Sequence, residues 1–115
     1  MNRSTALLGS LVLAFGLMGV ASASNTPPVT AAQITSASTA ADHEAIAKAF
    51  EDQAADLAGK ADWHQNMATA YRTSGKPAVA LQSRHCDALT KDLKAAAAES
   101  RALAAEHHKM AAAAK

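Results

Sequence analysis

The fold is decided by residues 39–73, which read TAADHEAIAKAFEDQAADLAGKADWHQNMATAYRT. This stretch holds one glycine and no proline, and alanine is its commonest residue, so its composition favours one uninterrupted helix. Thr39, with Asp42 three residues later, forms a variant of the capping box in which Asp replaces the usual Glu or Gln. We therefore predict that a long helix begins near Thr39.

A short SGKP sequence at 74–77 separates this segment from a second alanine-rich segment. Glycine just past one helix end and proline at the first position of the next predict a stop near residue 73 and a restart at Pro77. The second helix is expected to run to about residue 113. Because a short connection between long helices favours antiparallel neighbours, the predicted fold class is all-α, a coiled-coil-like two-helix hairpin over 39–115. Dimerisation into a four-helix bundle is a further expectation.

The hairpin is expected to have a weak core. Downstream of residue 23 its only aromatic residues are Phe50, Trp63 and Tyr71, and alanine makes up much of the remaining apolar composition. Chains this small usually need a metal, a disulfide or self-association to be stable. Cys86 is the single cysteine, so it is expected to be a metal ligand, an intermolecular bridge or a buried residue. A homo-oligomer, formed through Cys86 or through the helical faces, is therefore expected.

The first 23 residues have the pattern of a secretory signal peptide. A positive start at Arg3 precedes an apolar run over 7–20 and the small residues Ala-Ser-Ala at 21–23. The run is shorter than the roughly 20 residues that a membrane-spanning helix needs. We expect cleavage after residue 23, a periplasmic or secreted product, and no stable membrane insertion. Residues 24–38 are uncharged and rich in Ser, Thr, Ala and Pro, which predicts a flexible, disordered leader.

The charge balance and the motifs exclude several classes of function. Cleavage would remove Arg3 and leave ten basic and ten acidic side chains. A formally neutral chain has no electrostatic footprint for nucleic acid or for an anionic membrane. The sequence contains neither a Gly-rich phosphate loop nor a nucleophile elbow, so it does not favour an enzyme.

The two helical segments are related by an internal repeat. A shift of 43 residues aligns His43 with Cys86, His64 with His107, and Met67 with Met110. Such self-similarity indicates two copies of one helical unit.

The repeated residues also fall on regular heptad rows, which we call a and d. The a row of the first helix is His43, Phe50, Leu57, His64 and Tyr71, and its d row is Ile46, Gln53, Lys60 and Met67. The a row of the second helix is Cys86, Leu93, Ser100, His107 and Ala114, and its d row is Leu89, Ala96, Leu103 and Met110. Both rows are predicted to face the partner helix.

An antiparallel turn near residue 75 brings these potential ligands into two clusters. Residues whose numbers add to about 150 should lie side by side. The end far from the turn then holds His43, His107 and Met110, and the end near the turn holds His64, Met67 and Cys86. His85 and His108 lie beside these clusters and are optional fourth ligands.

The ligand types in both clusters suit a soft metal ion. Imidazole, thioether and thiolate groups favour Cu(I), with zinc a weaker alternative, whereas Mg²⁺ and Ca²⁺ prefer oxygen ligands. The sequence therefore predicts an exported copper-binding protein that serves in storage, delivery or tolerance.

Two other functions remain open at this stage. Taken singly, His and Met on a and d rows are more often core residues than ligands, so the protein could be a structural or adaptor hairpin without metal. His and Met are also axial ligands of haem in some four-helix bundles. Covalent haem attachment is excluded because no Cys-x-x-Cys-His is present, and an alanine-lined seam leaves little room for a porphyrin.

Overall fold

The computed structural model describes residues 26–114, which are mostly helical and contain no strand. The four helices are α1 Ala31–Ser36, α2 Ala40–Thr73, α3 Pro77–Ala80 and α4 Ser83–Ala113. The predicted signal peptide, residues 1–23, lies outside the described residues. Across 26–114, none of the helices combines the length and the apolar character needed to cross a membrane.

Part of the predicted leader is helical. Helix α1 begins with a capping box, in which the backbone N–H of Gln33 donates to the Thr30 hydroxyl and that of Thr30 donates to the Gln33 side chain. The helix packs against α2, and upstream of it the Thr26 hydroxyl donates to the Asp52 carboxylate. The Thr30-x-x-Gln33 pattern is the sequence signal for this helix.

Helix α2 begins at the cap that the sequence indicates. The Thr39 hydroxyl accepts a hydrogen bond from the Asp42 N–H at 3.1 Å. In return, the Asp42 carboxylate accepts the N–H groups of Ser38 and Thr39, each at 3.0 Å, and these bonds lower the pKa of Asp42. The helix ends where Gly75 adopts φ 69°, a left-handed conformation that favours glycine.

The second helical segment is interrupted rather than continuous. Helix α3 is a single turn that starts at Pro77, and α4 begins only at Ser83. Between them the N–H of Gln82 donates to the carbonyl of Val79 at 3.0 Å, a tighter i to i−3 bond. The predicted unbroken helix from residue 77 is therefore wrong at this junction.

Helices α2 and α4 pack against each other along their length. Side chains at the start of α2 meet those at the end of α4, as His43 meets His107, while Arg72 near the end of α2 pairs with Asp87 near the start of α4. The two helices therefore run in opposite directions.

The seam between α2 and α4 is lined by alanine at heptad spacing. Four fully buried alanines of α2 face three of α4; they are Ala47, Ala54, Ala61 and Ala68 on α2, and Ala97, Ala104 and Ala111 on α4. Small side chains let helix axes approach closely. The Thr90 hydroxyl on α4 comes within 3.5 Å of the Ala61 carbonyl oxygen on α2, which reflects this close approach.

Each buried alanine lies four residues after an a-row position, on a row that we call the e row. The d row of α4 was predicted to face the partner helix, and this prediction is wrong. Leu89, Leu103 and Met110 are 44%, 46% and 46% exposed. On a helix the e row lies about 40° to one side of the a row, whereas the d row lies about 60° to the other. The e row is alanine on α2 and mostly alanine on α4. The helices therefore approach most closely when the line of contact on each helix lies between its a and e rows.

Candidate metal centre

Two histidines meet at the end of the helix pair that is farthest from the turn, which we call the open end. The Nδ1 atoms of His43 and His107 are 3.1 Å apart, and the ring centroids are 5.3 Å apart. His43 lies in the first turn of α2, directly after its capping box, and its N–H donates to the Thr39 carbonyl. His107 lies on α4 and is only 8% exposed. Each ring is thus positioned by a different helix.

Phe50 packs against His107 on one side of this histidine pair. Its ring lies nearly parallel to that of His107, with centroids 6.0 Å apart, one heptad after His43 along α2. His107 is therefore held between an imidazole and an apolar ring. This packing fixes the ring of His107 and limits the access of water to it.

The separation of the two nitrogens suits one shared proton or one shared metal ion. Without a metal, one imidazole donates its N–H to the other, and the tautomers decide which. Two nitrogens bound to one ion at about 2.0–2.1 Å, with a tetrahedral angle between them, are about 3.3 Å apart. The His43–His107 pair could therefore bind an ion with little movement of either helix.

Met110, the third residue of the predicted cluster, is not in the seam. It lies three residues after His107 on the d row of α4, with 46% of its surface exposed. Its side chain would have to turn inward to reach the two nitrogens. Methionine has three rotatable side-chain bonds, so a change of side-chain conformation is the movement that the site would require of it.

The second predicted cluster lies nearer the turn. Cys86 is 8% exposed in the seam, and Met67 and His64 are half-buried on α2. The Nδ1 atom of His64 is buried, and no group among residues 26–114 forms a hydrogen bond with it. Leaving such an atom unpaired typically costs about 1–3 kcal/mol, which makes it a candidate to bind a proton donor or a metal ion. Trp63 contacts the His64 ring edge-on, with centroids 4.8 Å apart.

The burial of Cys86 also bears on its predicted role as an intermolecular bridge. A thiol that is 8% exposed between α2 and α4 can reach a second chain only if the two helices separate. A disulfide between folded copies is therefore disfavoured by this geometry.

The optional ligand His108 is held by two carboxylates instead. Its Nδ1 lies 2.9 Å from Glu44 Oε2, and its Nε2 lies 2.8 Å from Glu51 Oε1. The hydrogen bond with Glu51 and the negative charges of both carboxylates raise the pKa of His108, against a smaller opposing effect of burial. Both ring nitrogens are thereby occupied, so His108 ties α4 to α2 beside the histidine pair. The other optional ligand, His85, is exposed on α4.

The contacts of His108 with Glu44 and Glu51, which we call the brace, were not among the contacts predicted from the sequence. They lie seven residues apart on α2, on the row directly after the a row, which we call the b row. His108 belongs to the b row of α4. In an antiparallel pair, the b rows of the two helices border the same side of the seam, and this spacing is the signal that could have identified the brace.

Across residues 26–114, the histidine, cysteine, aspartate and glutamate side chains form no group of three or more that could hold a metal ion. A centre at the open end would consist of the two imidazoles of His43 and His107, completed by the thioether of Met110.

No protein-family model, no curated protein and no solved structure matches this chain.

Proposed function

We propose that this protein is an exported helical hairpin that binds copper, with a primary Cu(I) site at its open end formed by His43, His107 and Met110. The observation that carries the proposal is the 3.1 Å separation of the two Nδ1 atoms, which come from different helices. The protein acts as a binding protein and not as an enzyme.

The chemistry of the open end favours copper over harder ions. Two imidazoles and one thioether form a soft to borderline set of ligands, which suits Cu(I) better than zinc. The carboxylates of Glu44 and Glu51 are engaged by His108, and that of Asp42, next to His43, accepts the N–H groups of Ser38 and Thr39. The site therefore offers nitrogen and sulfur to an ion and does not offer the oxygen atoms that Mg²⁺ or Ca²⁺ would require.

Metal binding also gives the alanine-rich hairpin a source of stability. An ion shared by His43 and His107 links the two helices at the end that the turn does not join. Because a ligand that binds only the folded state adds its binding free energy to stability, copper would offset the weak apolar core. This coupling fits a protein that stores, delivers or sequesters copper.

A second copper site is proposed at His64, Met67 and Cys86. The unpaired Nδ1 of His64 supports it, as does the burial of the Cys86 thiol in the same seam. The signal-peptide pattern of residues 1–23 supports the periplasm, or the outside of the cell, as the compartment in which both sites bind copper.

A structural or adaptor hairpin without metal is the second candidate function. The half-exposed Leu89, Leu103 and Met110 favour it, because an apolar row of this kind suits self-association into a four-helix bundle. In this case, replacing the histidines would change neither assembly nor function.

Titration of the mature protein with Cu(I) against a competing chelator tests the proposal. Two ions should bind, His107→Ala should abolish one, and Cys86→Ala should abolish the other. His85→Ala is the matched control, because it removes an exposed histidine of the same helix, and it should leave both sites intact. Binding no tighter than micromolar in the wild-type protein would refute the proposal. A visible absorption band in the freshly purified protein would instead favour haem.

A further inference from the structure

The two sides of the helix pair differ in chemistry. On one side, which we call the b flank, cross-helix polar contacts join α2 to α4: Arg72 with Asp87, Gln65 with Lys94, and Glu51 with His108. The opposite side, which we call the d flank, carries the d rows and the exposed apolar residues Leu89, Leu103 and Met110. Trp63, which is 58% exposed, lies on the same side of α2.

The apolar stripe of α4 is wider than one partner helix can cover. Its a and e rows are buried against α2, while its d row extends about 60° beyond them. Leu89, Leu103 and Met110 are therefore buried on the side toward the seam and open on the other. A stripe of three rows is typical of a helix that packs against more than one neighbour.

We propose that a second copy of this chain covers the d flank. In this arrangement the d row of α4 in each copy packs against the d row of α2 in the other, which forms a four-helix bundle in which all neighbouring helices are antiparallel. The d flank is thus the surface through which the self-association proposed above would occur, and its role rests on that self-association. It does not depend on metal binding.

The size of the d flank matches that of a stable interface. With 31 residues, α4 is about 46 Å long, and two helices side by side present a face roughly 18–20 Å wide. The full face has a footprint of roughly 850 Å² per copy; residues 26–36 occupy the part of it beside residues 42–56 of α2, which leaves roughly 650 Å² per copy, at the lower end of standard interfaces. Burial of the large side chains on this flank would also supply apolar area that the alanine seam lacks.

Charge complementarity indicates which helix of the second copy lies on α4. Lys60 interrupts the d row of α2, and Asp92 borders the d row of α4 next to Leu89. With a two-fold axis parallel to the helices, Lys60 of the second copy comes level with Leu89, because Ala61 lies beside Thr90 within one copy. Its aliphatic stem can lie on the leucine while its ammonium group reaches Asp92.

The alternative docking, with α4 against α4 of the second copy, is unfavourable. It would bring the acidic row formed by Asp92, Glu99 and Glu106 against the same row of the other copy. Like charges in this position cost free energy and disfavour the pairing. In the α4-to-α2 arrangement this row meets Ala49, Trp63 and Ala70 as well as Asp42 and Asp56 of α2, so the repulsion is smaller.

Helix α1 limits the contact on the α2 side. Ile46, the first residue of the d row of α2, is already buried and lies beside α1. Gln53, the next residue of that row, lies beside Thr26 and Pro28, so the second copy contacts Lys60 and Met67. Ile34 on α1, which is 46% exposed, extends the apolar surface at this end.

Sedimentation equilibrium of the metal-free mature protein tests whether the d flank is the dimer interface. The wild-type protein should be a dimer at micromolar concentration, and Leu89→Glu/Leu103→Glu should be monomeric with its helical circular dichroism retained. Ala95→Glu/Ala102→Glu, on the exposed side of α4, is the matched control and should remain dimeric. Leu89→Glu/Leu103→Glu should still bind two Cu(I) ions, because it keeps every proposed ligand, and this separates the test from that of metal binding.

A charge exchange tests the orientation without removing an apolar residue. Lys60→Glu should weaken the dimer by about tenfold, and the added change Asp92→Lys should restore it. A monomeric wild-type protein would overturn both self-association and this surface. A dimer that survives Leu89→Glu/Leu103→Glu would overturn the surface alone.

Discussion

His43 and His107 face each other across the open end of the helix pair, with their Nδ1 atoms 3.1 Å apart. His43 lies in the first turn of α2, and His107 lies near the end of α4. Any ligand that binds both rings therefore joins the two ends that the turn leaves unconnected. The proposed copper site would thus stabilise the fold as well as hold the ion.

Copper should raise the thermal stability of the protein. Free Cu(I) at a hundredfold excess over its dissociation constant adds about 2.7 kcal/mol to the free energy of unfolding. For a chain of this size, that increase corresponds to a rise in Tm of roughly 10–20 °C. Differential scanning calorimetry under anaerobic conditions measures it. In His107→Ala/Cys86→Ala, which lacks a ligand at each site, the Tm should stay constant as copper is added; an equal rise there would place the ion elsewhere.

Stability should depend on pH through His108. Its folded-state pKa is raised above the ordinary value of about 6.5, chiefly by the hydrogen bond with Glu51. The resulting stabilisation is fully present below the unfolded-state pKa and is lost as pH rises through the raised folded-state pKa. Urea unfolding of the wild type and of His108→Gln should therefore differ more at about one pH unit below 6.5 than at about two units above it. If the difference in the free energy of unfolding grew with pH, the contacts of His108 with Glu44 and Glu51 would not stabilise the fold.

The seam should reject larger side chains. Ala61 is fully buried in the seam between α2 and α4, so Ala61→Leu should lower the free energy of unfolding by about 1–3 kcal/mol. Ala55→Leu makes the same change at an exposed position of the same helix and should alter stability by less than about 0.5 kcal/mol. Chemical denaturation of both variants measures the difference. If the two substitutions had equal effects, α2 and α4 would not be in close contact at Ala61.

The cap of α2 should contribute measurably to stability. Thr39→Ala removes the hydroxyl that accepts the Asp42 N–H and should lower the free energy of unfolding by about 1 kcal/mol at neutral pH. Thr69→Ala is the control, because the Thr69 hydroxyl only donates back to the Gln65 carbonyl within the helix. Urea titrations compare the two. Equal stability of Thr39→Ala and the wild type would mean that the start of α2 is frayed.

The all-helical fold and its two long helices were predictable because their start and stop signals are local. The Thr39 cap and the turn at Gly75 are encoded within a few residues each. The turn also fixes which residues of α2 and α4 lie side by side, and so the approach of His43 to His107 could be anticipated from the sequence.

The rotation of the helices about their axes was not predictable from apolar periodicity. Leu89, Leu103 and Met110 are, with Leu93, the larger apolar residues of α4, so the pattern favoured their burial. In the structure the alanine row is buried instead, because small side chains allow close approach along the whole length of both helices. Met110 is therefore placed on the exposed flank, away from the histidine pair.

The most direct test of the copper site is a double-mutant cycle on Cu(I) affinity, in a Cys86→Ala background that lacks the second site. His43→Ala and His107→Ala should each weaken binding at the remaining site by about a hundredfold or more, and the double variant should bind little more weakly than either single variant. Non-additivity of this kind requires that one ion is held by both rings. Unchanged affinity in the single variants, or effects that simply add in the double variant, would contradict a shared site at His43 and His107.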